Sequence, residues 1–146
     1  MKIAIGSDHA GYPLKAEIHK YLLDKGYEVI DCGTNSLDSV DYPVFGAAVG
    51  RAVSEKRADF GIICCGSGEG IMMACNKIPG VRAGIGYNDE VSRLLREHND
   101  ANVISFGARY MEVADVLRRV DLFLATPFAG GRHQKRVELL SELERK

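Results

Sequence analysis

The segment DFGIICCGSGEG (residues 59–70) decides the fold. The run DFGIICC is apolar without polar alternation, which is typical of a strand covered on both faces of a sheet. Glycines then alternate with Ser67 and Glu69, so the chain turns sharply before the next helical pattern begins. A buried strand followed by a glycine-rich turn into a helix is the repeating unit of parallel α/β sheets.

The same alternation of strand and helix patterns continues in both directions from this segment. Further strands are predicted at KIAIG (2–6), YEVID (27–31), VRAGIG (81–86) and NVISF (102–106). Amphipathic helical patterns lie between them, and Pro13 and Pro43 suit the first turns of two of these helices. We therefore predict an α/β fold, a three-layer α/β/α sandwich with a five-stranded parallel Rossmann-like sheet, formed by a single domain over residues 1–146.

Composition excludes several classes of function. Lysine plus arginine is 19 against 20 acidic residues, so no overall positive field attracts nucleic acid or an anionic membrane. No apolar run approaches the roughly 20 residues of a membrane span, and the first residues do not resemble a signal peptide. The four cysteines form no CxxC pair, which argues against zinc or disulfides. We expect a cytoplasmic protein with free thiols.

The glycine-rich turn is a candidate anion-binding site. Gly66, Gly68 and Gly70 allow a ligand to approach the backbone closely, and the N–H groups that start the next helix attract negative charge. The turn is not a dinucleotide fingerprint, because GxGxxG starting at Gly66 would need a glycine where Ile71 stands. A tight turn with a purely structural role is the alternative.

Cys65 lies where the third strand ends, at the lip of this turn. A thiol near a helix N-terminus is stabilised as a thiolate and can act as a base or nucleophile. The alternative is a buried core cysteine, which we favour for Cys64 because neighbouring strand residues point to opposite faces.

Three other places carry candidate site residues. Asp8 and His9 follow the first strand and can hydrogen-bond sugar hydroxyls or a phosphate, and the alternative for Asp8 is a cap of the first helix. His98, with Asn99 beside it, ends the fourth helix, where histidine suits proton transfer but is also favoured by the helix dipole alone.

Arg132 and Arg136 begin the last predicted helix four residues apart and so share one face. Paired guanidiniums suit a phosphate, and cations are unfavourable at a helix N-terminus without a ligand. The alternative is a solvated basic face that includes Lys135.

Six ordered segments together resemble the type B ribose-5-phosphate isomerases, a family that also includes allose-6-phosphate and galactose-6-phosphate isomerases. The resemblance runs nearly the full length of the chain. The segments are KIAIGSDHAG (2–11), EVIDCGT (28–34), SVDYP (39–43), IICCGSGEGI with NKIPGVRA (62–71 and 76–83), REHNDANVISFGAR (96–109) and PFAGGRHQKR (127–136).

The resemblance implies a role for each candidate. Cys65 matches the base that removes a proton from the substrate carbon, His98 the acid that helps to open the cyclic sugar, and Ser67 a hydroxyl that assists at the enediolate oxygens. The implied substrate contacts are Asp8, His9, Gly66, Ser67, Gly68, Glu69, Gly70, Asn99 and Arg109, and the implied phosphate contacts are His9, Arg132 and Arg136. It also implies a homodimer or tetramer with sites at the subunit interface, and catalysis without a metal or cofactor.

Three positions depart from the family pattern. Ser67 stands where threonine is usual, Glu69 where relatives tend to carry an apolar residue, and Cys75 where alanine is common. We expect the Glu69 carboxylate to point outward and Cys75 to fill the core. One branch of the family uses a glutamate just after the last glycine of this loop in place of a cysteine base; that position is Ile71 here, so Cys65 remains the candidate.

We expect interconversion of D-ribose 5-phosphate and D-ribulose 5-phosphate through an enediolate, a step of the non-oxidative pentose phosphate pathway, with Cys65 and the arginine pair converging on one sugar phosphate. The first alternative keeps this mechanism with allose 6-phosphate or galactose 6-phosphate as substrate. An alternative of another class is a non-catalytic sugar-phosphate-binding domain. A cysteine hydrolase is a further alternative and needs a histidine in contact with the thiol.

Overall fold

The computed structural model describes residues 1–145 and contains one parallel β-sheet. Its strands are β1 (Lys2–Ser7), β2 (Glu28–Asp31), β3 (Phe60–Cys65), β4 (Ala83–Ile85) and β5 (Val103–Gly107). The strand order is β2-β1-β3-β5-β4, and every neighbouring pair is parallel. The predicted five-stranded parallel sheet is confirmed.

Helices follow each strand, as the alternation predicted. They are α1 (Tyr12–Asp24), α2 (Tyr42–Ser54), α3 (Glu69–Asn76), α4 (Asp89–Glu97), α5 (Val113–Ala125) and α6 (Arg132–Leu143). Pro13 and Pro43 lie in the first turns of α1 and α2, where a missing N–H costs no helical hydrogen bond. The last helix ends at Leu143 rather than at the end of the chain, and Lys146 lies outside the described residues.

The sheet separates two apolar cores, and β3 contributes to both. Ile62 and Cys64 pack with residues of α1 and α5, whereas Ile63 and Cys65 pack with residues of α2 and α3. This division follows from the alternation of side chains along a strand. It produces the predicted α/β/α layers and places the two adjacent cysteines on opposite faces.

The strand order brings three carboxyl ends together at one edge of the sheet. β3 lies between β1 and β5, with Ser7 paired to Cys64 and Cys65 paired to Gly107. The chain reverses its direction of winding between β1 and β3, and ligands of open α/β sheets bind outside the carboxyl ends at such a point. The Asp8 N–H donates to the Cys64 carbonyl oxygen at 3.4 Å, so the loop after β1 lies beside the glycine turn as predicted.

No helix in the part of the chain that the structure describes has the length and apolar character needed to cross a membrane.

Candidate active site

The glycine turn after β3 packs directly on the end of β5. Gly68 has φ of +83°, and a Cβ atom there would lie 2.8 Å from the carbonyl carbon of Phe106. The buried Ser105 hydroxyl donates to the Gly68 carbonyl oxygen at 2.6 Å. Only glycine fits both this backbone conformation and this space, so the turn that opens α3 is rigidly placed.

Cys65 is 5% exposed, and the Gly68 N–H donates a hydrogen bond to its sulfur at 3.2 Å. A thiolate accepts such a bond more strongly than a thiol, because bonds to charged acceptors are the strong ones. By contrast, burial raises the pKa of Cys64 well above its usual range and that of Cys75 to about 12. Among these three buried cysteines, only Cys65 combines a place at the turn with a donor on its sulfur.

Two large side chains border the turn. A Cβ atom on Gly66 would lie 2.9 Å from a terminal guanidinium nitrogen of Arg109, and one on Gly70 would lie 2.7 Å from Cζ of Tyr42. Arg109 is anchored through its N–H, which donates to the Gly66 carbonyl oxygen at 3.1 Å. The sequence predicted Arg109 as a site residue through the family resemblance alone. It missed Tyr42, although SVDYP was among the segments that carried that resemblance.

Asp8 and His9 lie beside the turn with defined partners. The Gly11 N–H donates to Asp8 Oδ1 at 2.9 Å, and Asp8 is only 7% exposed. The N-cap of α1 is Gly11, and no side chain caps this helix, so Asp8 orders the turn before α1 and is not its cap. The Val40 N–H donates to His9 Nδ1 at 3.1 Å. Because Nδ1 is an acceptor, a neutral His9 ring carries its proton on Nε2, which is left as the donor for a ligand.

Ser67 and Glu69 both have exposed side chains. The Glu69 N–H donates to Ser67 Oγ at 3.2 Å, which leaves the hydroxyl proton of Ser67 free to donate elsewhere. The exposed Glu69 carboxylate agrees with the expectation that it points outward. Together with the preceding residues these form what we call the thiol half-site: Asp8, His9, Tyr42, residues 65–70 and Arg109.

A second group lies at the end of α4 and the start of α6. His98 is the C-terminal cap of α4, and its ring stacks on that of His133 with centroids 4.2 Å apart and planes 15° from parallel. The Ala129 N–H donates to the Glu97 carbonyl oxygen at 3.0 Å and so fixes the approach of α6. This arginine half-site consists of His98, Asn99, Arg132, His133 and Arg136.

The arginine half-site is strongly basic. Arg132 and Arg136 have exposed side chains one helical turn apart. Burial and then the positive charges of His98, Arg132 and Arg136 lower the pKa of His133. The sequence predicted both arginines but missed His133, whose stacking on His98 depends on how α6 meets α4.

Within a single chain the two half-sites lie at opposite edges of the sheet. Asn99 of the arginine half-site lies three residues before Asn102. The carbonyl oxygen of Asn102 accepts a hydrogen bond from the N–H of Gly61, near the amino end of β3. Cys65 lies four residues further along that strand, roughly 13 Å away at the usual rise per residue. The expected convergence of Cys65 with the arginine pair therefore does not occur inside one chain.

A cavity of about 600 Å³ lies between α6 and the segment 76–83, also at the amino-end edge of the sheet. It meets the arginine half-site only at Asn99 and does not include Cys65. Its walls are largely apolar, and it is not the thiol half-site.

Within residues 1–145, no group of three or more His, Cys, Asp or Glu side chains is arranged to hold a metal ion. Independence from a metal remains a prediction, which an assay in EDTA tests.

Comparison with known proteins identifies the family to which this chain belongs. Residues 3–140 match the family model described as Ribose/Galactose Isomerase. A protein of Escherichia coli K12 named ribose-5-phosphate isomerase B is 43% identical over 99% of this chain and 97% of its own length. The chain therefore belongs to the ribose/galactose isomerase family.

Solved structures agree with this assignment. Ribose-5-phosphate isomerase B of Clostridium thermocellum is 50% identical, with a TM-score of 0.98 over 99% of this chain and 98% of that one. Ribose-5-phosphate isomerase B of Mycoplasma genitalium, solved with bound ribulose-5-phosphate, is 37% identical, with a TM-score of 0.95 over 99% and 97% of the two chains. The type B resemblance predicted from the sequence is confirmed.

Proposed function

We propose that this chain interconverts D-ribose 5-phosphate and D-ribulose 5-phosphate, with Cys65 as the base. The observation that carries the proposal is the Cys65 sulfur at the carboxyl edge of the sheet, with the Gly68 N–H on it at 3.2 Å and the Arg109 guanidinium beside the same turn. Relatives that carry the name of this activity match nearly the whole chain, and one of them was solved with ribulose-5-phosphate bound.

In the proposed reaction the Cys65 thiolate removes the proton from C2 of the open-chain aldose. The C–H electron pair forms the C1–C2 double bond, and the carbonyl electrons move to O1 to give an enediolate. The proton is returned to C1 as O2 becomes the ketone and loses its own proton to O1, so no oxidant or reductant is needed. The Ser67 hydroxyl and the backbone N–H groups of the turn other than those of Gly68 and Glu69, which bond Cys65 and Ser67, stabilise the developing charge. Losing one such donor typically costs about 100- to 1,000-fold in rate.

The second part of the proposal is that a complete site needs two copies of the chain. The thiol half-site supplies the base and the donors, while the arginine half-site of the other copy supplies the phosphate clamp and His98 as the acid for ring opening. Its support is the separation of the two half-sites within one chain, together with exposed leucines on the helix that carries the arginines, namely Leu139, Leu140 and Leu143. Clustered exposed apolar residues mark an interaction surface.

Paired cysteine variants test the base. We expect Cys65→Ala to lose turnover by about 100- to 10,000-fold, the usual contribution of a positioned proton-transfer group. Cys64→Ala is the matched control, because that thiol is the neighbour on the opposite face of the sheet. Turnover in D₂O followed by NMR of the sugar should show deuterium at the reacting carbon. Near wild-type activity of Cys65→Ala would refute the role of the thiol.

A substrate panel tests the function itself. Purified protein in EDTA is offered ribose 5-phosphate, allose 6-phosphate and galactose 6-phosphate in parallel. We expect the highest kcat/KM for ribose 5-phosphate. Preference for a six-carbon sugar would change the substrate and keep the mechanism, whereas thermal stabilisation by these ligands without any interconversion would indicate a binding domain.

A further inference from the structure

Lys15 is a buried charge that lies outside both half-sites. This side chain of α1 is 2% exposed, and its ammonium donates to Asp31 Oδ1 at 2.6 Å and to Asn35 Oδ1 at 2.8 Å. Taking an ammonium out of water is unfavourable unless its hydrogen bonds are satisfied. Asp31 and Asn35 supply these hydrogen bonds. Asp31 lies in β2, and Asn35 lies in the loop of residues 32–41 that follows it.

The Lys15 partners fix the beginning of this loop against β1. Asp31 Oδ1 also accepts from the Gly33 N–H at 2.9 Å. The Ser7 N–H donates to the Gly33 carbonyl oxygen, and the Thr34 N–H donates to the Ser7 carbonyl oxygen, both at 2.8 Å. These bonds hold the loop against the carboxyl end of β1, which Asp8 and His9 directly follow.

The far end of the same loop contacts the thiol half-site. Val40 presents its N–H to His9 Nδ1 at 3.1 Å, and two residues later Tyr42 begins α2 with its ring against Gly70. A hydrogen bond to one ring nitrogen of a histidine decides which nitrogen carries the proton. The position of the loop therefore sets the hydrogen-bonding character of His9.

We propose that Lys15 is a positioning residue: its ammonium holds the loop of residues 32–41 where the Val40 N–H fixes His9 as the Nε2–H tautomer for ligand binding. Lys15 itself is buried under the loop and makes no contact with the sugar phosphate. Replacing both partners of a buried ion pair by apolar side chains often leaves stability unchanged, so stability alone does not account for this pair. A charged pair with directional hydrogen bonds instead selects one arrangement of the loop.

Two further side chains lie near this ion pair. His19 Nδ1 lies 3.5 Å from Asp31 Oδ2, and the Tyr12 ring centroid lies 5.7 Å from Lys15 Nζ. Replacing Lys15 by methionine keeps much of the volume and removes the donors to both Asp31 and Asn35. Because the Asp31 carboxylate then lacks this cation, we also expect the variant to be less stable.

The first test reads the tautomer without any substrate. Nitrogen-15 NMR of the imidazole rings, with His9 assigned through His9→Gln, is recorded for the wild type, Lys15→Met and Asn35→Ala. We expect one Nε2–H tautomer in the wild type, a mixture in Lys15→Met and a smaller shift in the same direction in Asn35→Ala. Leu22→Ala, a core substitution on the same helix, controls for loss of stability and should keep the wild-type tautomer.

The second test uses turnover and rests on the proposed function. We expect KM for ribose 5-phosphate to rise about tenfold in Lys15→Met with kcat within about threefold, because a substrate contact used equally in ground and transition state is weakened. Leu22→Ala, assayed below its unfolding temperature, should not combine a raised KM with a nearly unchanged kcat. Lys25→Met, an exposed lysine paired with Asp121 just after the same helix, should leave both constants unchanged.

The outcomes separate the two proposals. If the His9 tautomer is unchanged in both Lys15→Met and Asn35→Ala, the proposed role of Lys15 is overturned. An equal rise of KM in Leu22→Ala overturns it as well. If Lys15→Met does not fold, Asn35→Ala decides, because Asn35 is exposed. A wild-type protein that converts no sugar phosphate refutes the proposed function, while the tautomer measurement still decides the role of Lys15.

Discussion

Mixing two inactive variants tests the division of the site between two copies. The first variant is Cys65→Ala, which removes the base from the thiol half-site. The second is the double variant Arg132→Ala/Arg136→Ala, which removes the clamp from the arginine half-site. If each complete site takes one half from each copy, a mixed dimer holds one site with both defects and one site with neither.

The magnitudes follow from the groups removed. Loss of the base costs about 100- to 10,000-fold in turnover. Each guanidinium hydrogen bond to a phosphate is worth about 1.5–3 kcal/mol, so losing both costs about 3–6 kcal/mol, or roughly two to four orders of magnitude in kcat/KM. Against these backgrounds, a mixed dimer with one intact site of two should regain about half of the wild-type kcat/KM.

The assay uses co-expression with two different affinity tags, tandem purification of the mixed assembly and ribose 5-phosphate below KM. Each parent assembly carries defects in all its sites and serves as its own control. A mixed dimer of one Cys65→Ala copy and one wild-type copy also has one intact site, and it gives the reference for half activity. Mixed assemblies no more active than the parents would refute the shared site, because both halves would then have to come from one chain.

Three further outcomes follow from local geometry. Gly68→Ala should lower the free energy of unfolding by about 1–2 kcal/mol from its left-handed backbone alone, seen in urea titrations, with a loss of kcat. Cys64 and Cys75 should resist alkylation by iodoacetamide at pH 8, followed by mass spectrometry, because burial raises the pKa of both thiols. The pKa of His133, held low by burial and neighbouring positive charge, should rise in the double-arginine variant when followed by NMR, and an unchanged value would contradict this charge coupling.

The lowered pKa of His133 makes the folding stability depend on pH. The unfolded chain takes up a proton on this ring at a higher pH than the folded chain does. Folding stability therefore falls as the pH drops through the usual histidine range toward the folded value, and it is fully present above that range. Acid titration of His133→Gln against the wild type measures this contribution, which should be absent in the variant.

The fold followed from local patterns because each strand and helix carries its own signal. The apolar run DFGIICC and the glycines after it predicted β3 and the turn, and the alternation of side chains predicted that Cys64 and Cys65 face opposite layers. Candidate residues at the ends of β1 and β3 were also predictable, because the carboxyl ends of parallel strands share one edge. Arg109, which follows β5, came from the family resemblance alone.

Other parts of the site depended on contacts between distant segments. The ring of Tyr42 against Gly70 and the stacking of His133 on His98 join residues far apart in sequence, and no periodicity indicates them. A cap of α1 by Asp8 stayed an open alternative until the geometry of the loop was known, which makes Gly11 the N-cap and gives Asp8 a bond within the preceding turn.

By itself the sequence determined the layers, the parallel sheet and the chemistry-bearing residue types, since propensity, glycine placement and side-chain alternation act over a few residues. Only the tertiary structure decided that the thiol and the paired arginines lie at opposite edges of one sheet, and that the Val40 N–H meets His9 Nδ1. Those relations depend on which strand lies next to which, and on the path of the loop of residues 32–41, which bonds to a buried ammonium. Both are set by packing across the whole chain rather than by any short stretch of it.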